Sequence, residues 1–382
     1  MKNRFEVLDI FRGLFSAMVV FFHMSAFSAT PIINNNFVYN SDLFVDFFFV
    51  LSGFVISYSY QSIQNENQVK SFLKKRFFRI YPLHLIMLMA FVFIELAKHF
   101  FEGHIQINNL NNPNNNLTSF ISSFVLMNSV KMPNVTDVSW NIPSWSISAE
   151  MISYIVFALV VLLIWKAKWF NYRNYIFIIL VALSGAALLG INGNLKITYS
   201  FDYGFLRGII GFFTGVLCFN TFNYSKNYFR SLPIPIFHIA EALIITAIAY
   251  FVYQKRFFEN LGLIYELIFF LAVLIFSFEK GFISSMLTKS GFLKRMGTYS
   301  YSIYMTHALL LSIFNIVFIR VLKLPPSAYS YLFILNYYLI FKVSEWTYRN
   351  IEMRFIFKKK SKTAYETKDA ESYADKVLAT QR

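Results

Sequence analysis

The sequence has little charge and almost no cysteine. Only 14% of its 382 residues are Asp, Glu, Lys or Arg, whereas a soluble domain carries about a quarter of such residues. The one cysteine, Cys218, excludes an intramolecular disulfide framework. The sequence also lacks a glycine-rich phosphate loop, a Gly-x-Ser-x-Gly nucleophile turn and histidines spaced as a metal site, so we expect no metal.

Hydrophobic residues, by contrast, make up 57% of the chain, and Phe and Tyr number 47 and 24. Apolar stretches long enough to cross about 30 Å of hydrocarbon recur along the whole length. We therefore predict an all-α, polytopic membrane helix bundle of about ten transmembrane helices. The predicted spans are 8–28, 41–60, 80–100, 144–165, 174–191, 201–220, 235–253, 259–278, 297–319 and 327–347.

The first apolar run has to be distinguished from a signal peptide. Glu6, Asp9 and Arg12 interrupt it, and many spans follow, which favours a retained first helix. The segment 117–130 is apolar but short and Ser-rich, which indicates an interfacial or re-entrant segment. We expect one transmembrane domain over residues 1–350 and a basic, polar cytoplasmic tail over 351–382.

The positive charge is distributed unevenly between the two sets of loops. With the N-terminus inside, 25 lysines and arginines lie in inner segments and seven in outer ones. This bias follows the positive-inside rule and places both termini in the cytoplasm. It also accounts for the net charge of +15 without a nucleic-acid partner. We expect a multi-pass protein of a bacterial inner (cytoplasmic) membrane, in contact with the lipid bilayer.

The first span carries three ionisable residues, Asp9, Arg12 and His23. Such residues are costly in a bilayer and usually face a protein interior or a cavity. Asp9 and Arg12 are i,i+3 neighbours that can pair. Arg12 and His23 share a helix face about 16 Å apart along the axis. We predict that Arg12 lies towards the cytosol and His23 towards the outside.

Further ionisable residues recur at the inferred depth of His23. Asp46, Glu150 and Arg207 lie in the outer halves of their spans, and Arg207 can balance either carboxylate. Beside them, Ser52-Gly53 predicts a close helix approach. Two further candidates for a substrate or structural role precede Glu150; they are Trp145, which is also typical of an aromatic belt, and Ser148.

An inner basic stretch, Lys74-Lys75-Arg76-Phe77-Phe78-Arg79-Ile80-Tyr81-Pro82, is predicted to be a loop. It is also typical of a topology signal or a contact with anionic lipid. Arg76 and Arg79, however, can clamp a phosphate bidentately, so a cytosolic phosphorylated donor is a plausible ligand. Lys75 and Tyr81 are further candidates for this site.

The ninth span contains Tyr304 and His307 at i,i+3. A buried histidine of this kind is as often a satisfied core residue as a functional one, and both readings stay open.

These motifs together resemble acyltransferase family 3, a family of integral membrane O-acyltransferases. They occur in the order typical of that family from the start of the chain to about residue 350. The matching stretches are Leu8-Asp9-x-x-Arg12-Gly13 with His23, Val45-Asp46 with Leu51-Ser52-Gly53-Phe54, Arg76-x-x-Arg79-Ile80-Tyr81-Pro82, Trp145-Ser146-x-Ser148-x-Glu150, and Ser300-Tyr301-Ser302-x-Tyr304-x-x-His307. Two departures are Phe44, where a small residue is common, and the lack of an extracytoplasmic hydrolase-like domain.

The resemblance implies a cytosolic acyl-CoA donor, typically acetyl-CoA. It also implies a surface polysaccharide or lipid-linked glycan as acceptor, essential roles for Arg12 and His23, and donor handling by Arg76 and Arg79. As a hypothesis, His23 is the general base, aligned by Asp46 or Glu150; an acyl-His intermediate is the alternative. Acylation of a small molecule or peptide, and a transporter or flippase of lipid-linked sugars, remain competing functions.

Overall fold

The computed structural model describes residues 5–60, 63–100, 112–325 and 331–355. Within these ranges the chain is helical and has no β-strand; its one isolated bridge joins Leu195 to Leu261. Twelve α-helices have eight residues or more. They are α1 (Glu6–Ser25), α2 (Phe44–Ser59), α3 (Glu66–Phe100), α4 (Leu117–Phe124), α5 (Trp145–Ala167), α6 (Arg173–Asn192), α7 (Gly204–Ser231), α8 (Ile234–Tyr253), α9 (Leu263–Phe276), α10 (Phe282–Lys289), α11 (Gly291–Phe314) and α12 (Phe333–Thr347).

Eight helical segments are long and apolar enough to cross a membrane. This confirms the predicted all-α, polytopic bundle. The two other expected spans appear as α9, with 14 residues, and α12, with 15 residues. The eight segments are Glu6–Ser25, Ser41–Ser59, Glu66–Phe100, Ile142–Ala167, Phe170–Ile191, Gly204–Ser231, Ile234–Tyr253 and Gly291–Ile319.

Ion pairs connect helix ends at the two opposite sides of the bundle. At one side Lys166 binds Glu66 at 3.1 Å and Lys294 binds Glu6 at 2.8 Å. This side carries the excess of positive residues and is called the basic end below. At the opposite end Lys255 binds Asp42 at 2.7 Å. Each of these ion pairs joins helix ends that the charge bias assigns to the same side of the membrane. The predicted alternation of the helices therefore agrees with their packing.

The basic stretch before Tyr81 is helical, not the loop that the sequence analysis predicted. α3 begins at Glu66 and runs for 35 residues with Pro82 inside it, a length of about 52 Å. Before Tyr81 the stretch contains Lys, Arg, Phe and Ile but neither glycine nor proline, so nothing there terminates a helix. A helix this long exceeds the hydrocarbon thickness, and Arg76 and Arg79 are therefore held on a rigid element.

The segment after residue 112 enters the bundle from the end opposite the basic one. α4 begins at a capping box made by Asn116 and Ser119. The carbonyl of Ser123 then contacts Nε2 of His84 at 2.8 Å. His84 lies 16 residues before the end of α3, about 24 Å along its axis. Of the two predicted descriptions, interfacial or re-entrant, the structure therefore has the re-entrant one.

Two helix crossings depend on glycine. A Cβ at Gly53 would lie 1.8 Å from the carbonyl oxygen of Phe212, so α2 and α7 touch through their backbones, as Ser52-Gly53 predicted. A Cβ at Gly13 would lie 2.5 Å from the backbone nitrogen of Gly297. The second crossing brings α1 against α11 and fixes what Arg12 can reach.

Candidate active site

Arg12 lies at the crossing of α1 and α11. Its Nε donates to Ser300 Oγ at 2.7 Å and its Nη2 to the Gly297 carbonyl at 3.2 Å. Nη2 also lies 3.3 Å from the carboxylate of Asp9, which is the predicted i,i+3 pair. The guanidinium is thus oriented by a hydroxyl, a carbonyl and a carboxylate, and one part of its surface still faces a cavity.

This cavity, called the arginine cavity below, has an empty volume of about 890 Å³. α1, α2, α3, α5 and α11 surround it. Its charged and hydroxyl-bearing walls are formed by Arg12, Ser52, Arg76, Arg79, Ser146, Glu150, Tyr154, Ser300, Tyr301 and Tyr304. Three guanidinium groups and one carboxylate give it an excess of positive charge, which suits an anionic ligand.

Arg76 and Arg79 project from α3 into the arginine cavity, so the predicted donor residues do lie together with Arg12. Arg79 is exposed to the cavity. The Nε of Arg76 is buried and has no hydrogen-bond partner among the described residues. Its guanidinium stacks over the ring of Tyr60 at 5.5 Å. Buried donors without partners are unfavourable, and an additional acceptor such as a phosphate oxygen would satisfy this one.

Glu150 is held in the middle of the cavity wall. One carboxylate oxygen accepts hydrogen bonds from Ser52 Oγ at 2.6 Å and from Tyr154 Oη at 2.5 Å. Ser52 lies six residues beyond Asp46 on α2, about 9 Å nearer the basic end. Glu150 is therefore deeper than the predicted common level, and its bound oxygen contacts hydroxyls rather than an imidazole.

Asp46 forms a buried, bidentate ion pair with Arg207. Its two oxygens accept from Nε and Nη2 of Arg207 at 2.6 and 2.8 Å, and both side chains are almost fully buried. Trp145 covers the guanidinium at 5.2 Å. The structure thus has the pairing of Arg207 with Asp46 that the sequence suggested, but not the predicted alignment of His23 by Asp46 or Glu150. Both oxygens of Asp46 are occupied, and their partner is cationic.

His23 instead faces His307. Their ring centroids lie 5.1 Å apart. Nδ1 of His307 lies 3.2 Å from the Ile303 carbonyl, which favours the tautomer with the proton on Nδ1. Nε2 of His307 is then an acceptor, and it is buried without a partner among the described residues. On the sequence alone, a core and a functional role for His307 were equally open, and its contact with His23 favours the functional one.

Tyr304 separates the arginine cavity from this histidine pair. Its ring lines the cavity, and its centroid lies 5.9 Å from that of His307. The hydroxyl contacts Ser146 Oγ at 2.8 Å and donates to the Pro143 carbonyl at 3.2 Å. Tyr304 thus connects the wall of the arginine cavity to His307 and, through His307, to His23.

Three further candidates, Lys75, Tyr81 and Ser148, do not line the arginine cavity either. Lys75 is exposed on α3. Tyr81 donates to the Phe124 carbonyl at 3.0 Å, and Ser148 donates to the Leu126 carbonyl at 2.7 Å. Tyr81 and Ser148 thus anchor the re-entrant segment.

Sequence reasoning missed three residues of the site. Tyr154 follows Glu150 by one helical turn, a spacing that could have identified it. Ser300 contacts Arg12, and Glu352 accepts from Ser302 Oγ next to that contact. Ser300 lies in one of the stretches that carry the family resemblance, but its contact with Arg12 and that of Glu352 with Ser302 depend on helix crossings between distant parts of the chain, which no local pattern could have revealed.

A family model and two relatives match parts of this chain. A family model described as "Acyltransferase domain" matches residues 5–343. "Acyltransferase MdmB" of Streptomyces mycarofaciens is 31% identical over 118 residues, which cover 30% of this chain and 27% of the relative. "Protein 2 in picA locus" of Rhizobium radiobacter is 38% identical over 96 residues, or 24% of this chain and 47% of the relative.

The chain thus matches less than half the length of either relative, and no solved structure matches it. The family model, however, spans α1 to α11 and most of α12, and so includes every residue that lines the arginine cavity. On this match the chain belongs to acyltransferase family 3.

Proposed function

We propose that this protein transfers an acetyl group from cytosolic acetyl-CoA to a hydroxyl of an extracytoplasmic glycan. The observation that carries the proposal is the position of Tyr304, which lines the arginine cavity and also contacts His307, the residue that faces His23. A polyanionic donor with a long, neutral arm matches a site that has guanidinium groups on one side and an imidazole on the other.

The donor's phosphates would bind Arg76 and Arg79. Guanidinium groups bind phosphate oxygens bidentately. The charge bias of the sequence assigns this side of the bundle to the cytoplasm, where acetyl-CoA is available. Arg12, on the α1 side of the same cavity, is oriented by Ser300 and Gly297 and would hold the pantetheine arm or the thioester carbonyl.

His23 would act as general base on the acceptor hydroxyl. No hydrogen bond from the described residues engages its ring, and the side chain is only half-buried. The hydroxyl oxygen attacks the thioester carbonyl while its proton moves to His23. The carbon–sulfur bond then breaks, and the proton passes from the imidazolium to the departing sulfur, which leaves as CoA thiol.

Glu150, Ser52 and Tyr154 would contribute on the cavity wall. The carboxylate of Glu150 already accepts from both hydroxyls. That network fixes Tyr154 and leaves negative charge beside three arginines, which limits how tightly the donor and product CoA bind. The acceptor we favour is a surface polysaccharide or its lipid-linked precursor.

The test uses the full chain in proteoliposomes with acetyl-CoA labelled in the acetyl group. With His23→Ala we expect transfer to fall at least about 100-fold, the range lost with a general base, while CoA binding stays within twofold. His99→Ala, at the exposed far end of α3, is the matched control. Transfer retained by His23→Ala would disprove the role of His23.

The acceptor is tested separately in cells. We expect the acetyl signals of surface glycans, measured by NMR, to disappear on deletion of the gene and to return with the wild-type chain but not with His23→Ala. Unchanged acetyl content would contradict a glycan acceptor. It would leave the donor-binding result unaffected.

A further inference from the structure

A second cavity lies at the basic end of the bundle, on the other side of Tyr60 from the arginine cavity. It has an empty volume of about 910 Å³ and is bounded by α2, α5, α6 and α7. Tyr60 lines it, while Arg76 of the first cavity stacks on the same ring. This second cavity plays no part in the acyl transfer proposed above.

Polar side chains line one part of the second cavity. Arg173, Asn220 and Asn223 contribute to it near the basic end. Arg173 is exposed and makes no hydrogen bond or ion pair with the described residues. The hydroxyl of Ser57 also lines the cavity, and it is buried without a hydrogen-bond partner in the described part of the chain.

Arg173 is the first residue of α6, a helix of 20 residues. A cation at this position is unfavourable, because the helix macrodipole already places positive charge there. An anion bound at the same point would contact the guanidinium and would be favoured by the positive end of the helix macrodipole. The position therefore favours a phosphate-sized anion.

The remaining walls are apolar and extend towards the membrane interior. They are formed mainly by Phe157, Val161, Phe177 and Val216. Phe157 lies ten residues before the end of α5 at Ala167, so the cavity extends about 15 Å below the basic end. Trp165 stands near its rim, at the level where aromatic residues of membrane proteins meet head groups.

We propose that the second cavity binds one anionic glycerophospholipid of the leaflet at the basic end. The phosphate contacts the guanidinium of Arg173, a head-group or glycerol oxygen accepts from Ser57, and one acyl chain lies along Phe157 and Val216. Basic cavities between transmembrane helices on the cytoplasmic side typically hold such lipids. A soluble phosphate compound would leave the apolar walls unfilled.

The experiment measures lipids retained by the purified full chain, using native mass spectrometry. Phosphatidylglycerol and phosphatidylcholine with the same acyl chains are the probes. We expect one phosphatidylglycerol per chain and at least about tenfold less retained phosphatidylcholine, since a charge-assisted hydrogen bond is worth about one such factor.

Arg173→Gln should lower phosphatidylglycerol retention about tenfold. Arg173→Lys, which keeps the charge, should lower it less. Arg230→Gln is the matched control, because Arg230 is also exposed at the basic end but does not line the cavity. Equal retention of the two lipids, or retention unaffected by Arg173→Gln, would overturn the proposal. Displacement of phosphatidylglycerol by an equal concentration of glycerol 3-phosphate would also overturn the proposal, because it would indicate a soluble ligand. Elution as a single species in gel filtration shows that each variant is folded.

Discussion

His23 on α1 and His307 on α11 face each other with ring centroids 5.1 Å apart and ring planes inclined by 38°. The two residues are 284 positions apart in the sequence. Since the crossing of α1 and α11 at Gly13 and Gly297 sets this contact, the candidate catalytic imidazole is oriented by the packing of the first span against a late one.

His307 is therefore expected to position His23. Replacement by Gln should lower kcat by about 10- to 100-fold and leave the KM for acetyl-CoA within twofold, because His307 lies beyond Tyr304 and does not line the arginine cavity. Single-turnover and steady-state rates of acetyl transfer measure the two parameters.

A merely structural role for His307 predicts a different result. In that case the apparent Tm of His307→Gln would fall and the activity per folded molecule would stay unchanged. The pH profile of kcat is a second readout, since a positioning residue should shift its acidic limb and a core residue should not.

Asp46 is expected to support the fold rather than the chemistry. Removing one member of a buried ion pair leaves the other charge unpaired and typically costs about 3–5 kcal/mol. Asp46→Asn and Arg207→Gln should each lower the thermal midpoint measured in detergent. Asp46→Asn combined with Arg207→Gln should be less destabilised than the sum of the single variants.

The opposite result would support the role predicted for Asp46 from the sequence, which is to align His23 in the reaction. If Asp46→Asn kept its thermal midpoint but lost transfer, Asp46 would act in the reaction. Asp42→Asn, which disrupts only the partly exposed pair with Lys255, is a suitable comparison and should cost about 1 kcal/mol or less.

Arg76 and Arg79 are expected to determine donor affinity. The double replacement Arg76→Gln with Arg79→Gln should raise the KM for acetyl-CoA at least about 30-fold, because each charge-assisted bond to phosphate contributes about 1.5–3 kcal/mol. Isothermal titration with CoA measures the same loss directly. Lys74→Gln, an exposed neighbour on α3, is the matched control.

An unchanged KM would mean that Arg76 and Arg79 act only as a topology signal or as a contact with anionic lipid, the alternative that the sequence also allows. A change in kcat alone would place the pair beside the reacting atoms instead. Dephospho-CoA and pantetheine are informative probes, since the double variant should bind pantetheine as well as the wild-type protein does.

The crossing of α2 and α7 is expected to tolerate no side chain at Gly53. Because an added Cβ would overlap the Phe212 carbonyl, Gly53→Ala must separate the helices and should lower stability by about 2 kcal/mol or more. Gly185→Ala is the control. A Cβ there has no neighbour within 4 Å, and the substitution should stabilise α6 by about 0.5–1 kcal/mol. If the thermal midpoints of the two variants shifted in the same direction, the close approach of α2 and α7 at Gly53 would be contradicted.

Hydropathy and charge bias predicted most of the fold, because both depend on short stretches of chain. The spans ending near Ser59 and Tyr253 were predicted within one or two residues. The start of α3 was not predicted: hydropathy detects only the membrane-embedded part of a helix, and the basic turns before Tyr81 are helical without being apolar. The re-entrant segment was recognised as unusual, but its depth depends on contacts with His84 and Ser148.

The sequence by itself determined most of the candidate site residues, because ionisable and hydroxyl-bearing side chains inside apolar spans are conspicuous. It identified His23, Arg12, Arg76, Arg79 and Glu150. Only the tertiary structure decided their partners. Asp46 binds Arg207 rather than an imidazole, Glu150 binds Ser52 and Tyr154, and His23 faces His307. The physical reason is that the depth of a residue in the membrane follows from its position in a span. The rotation of each helix about its axis, and therefore the neighbours of each side chain, is set by backbone contacts such as that of Gly13 with Gly297.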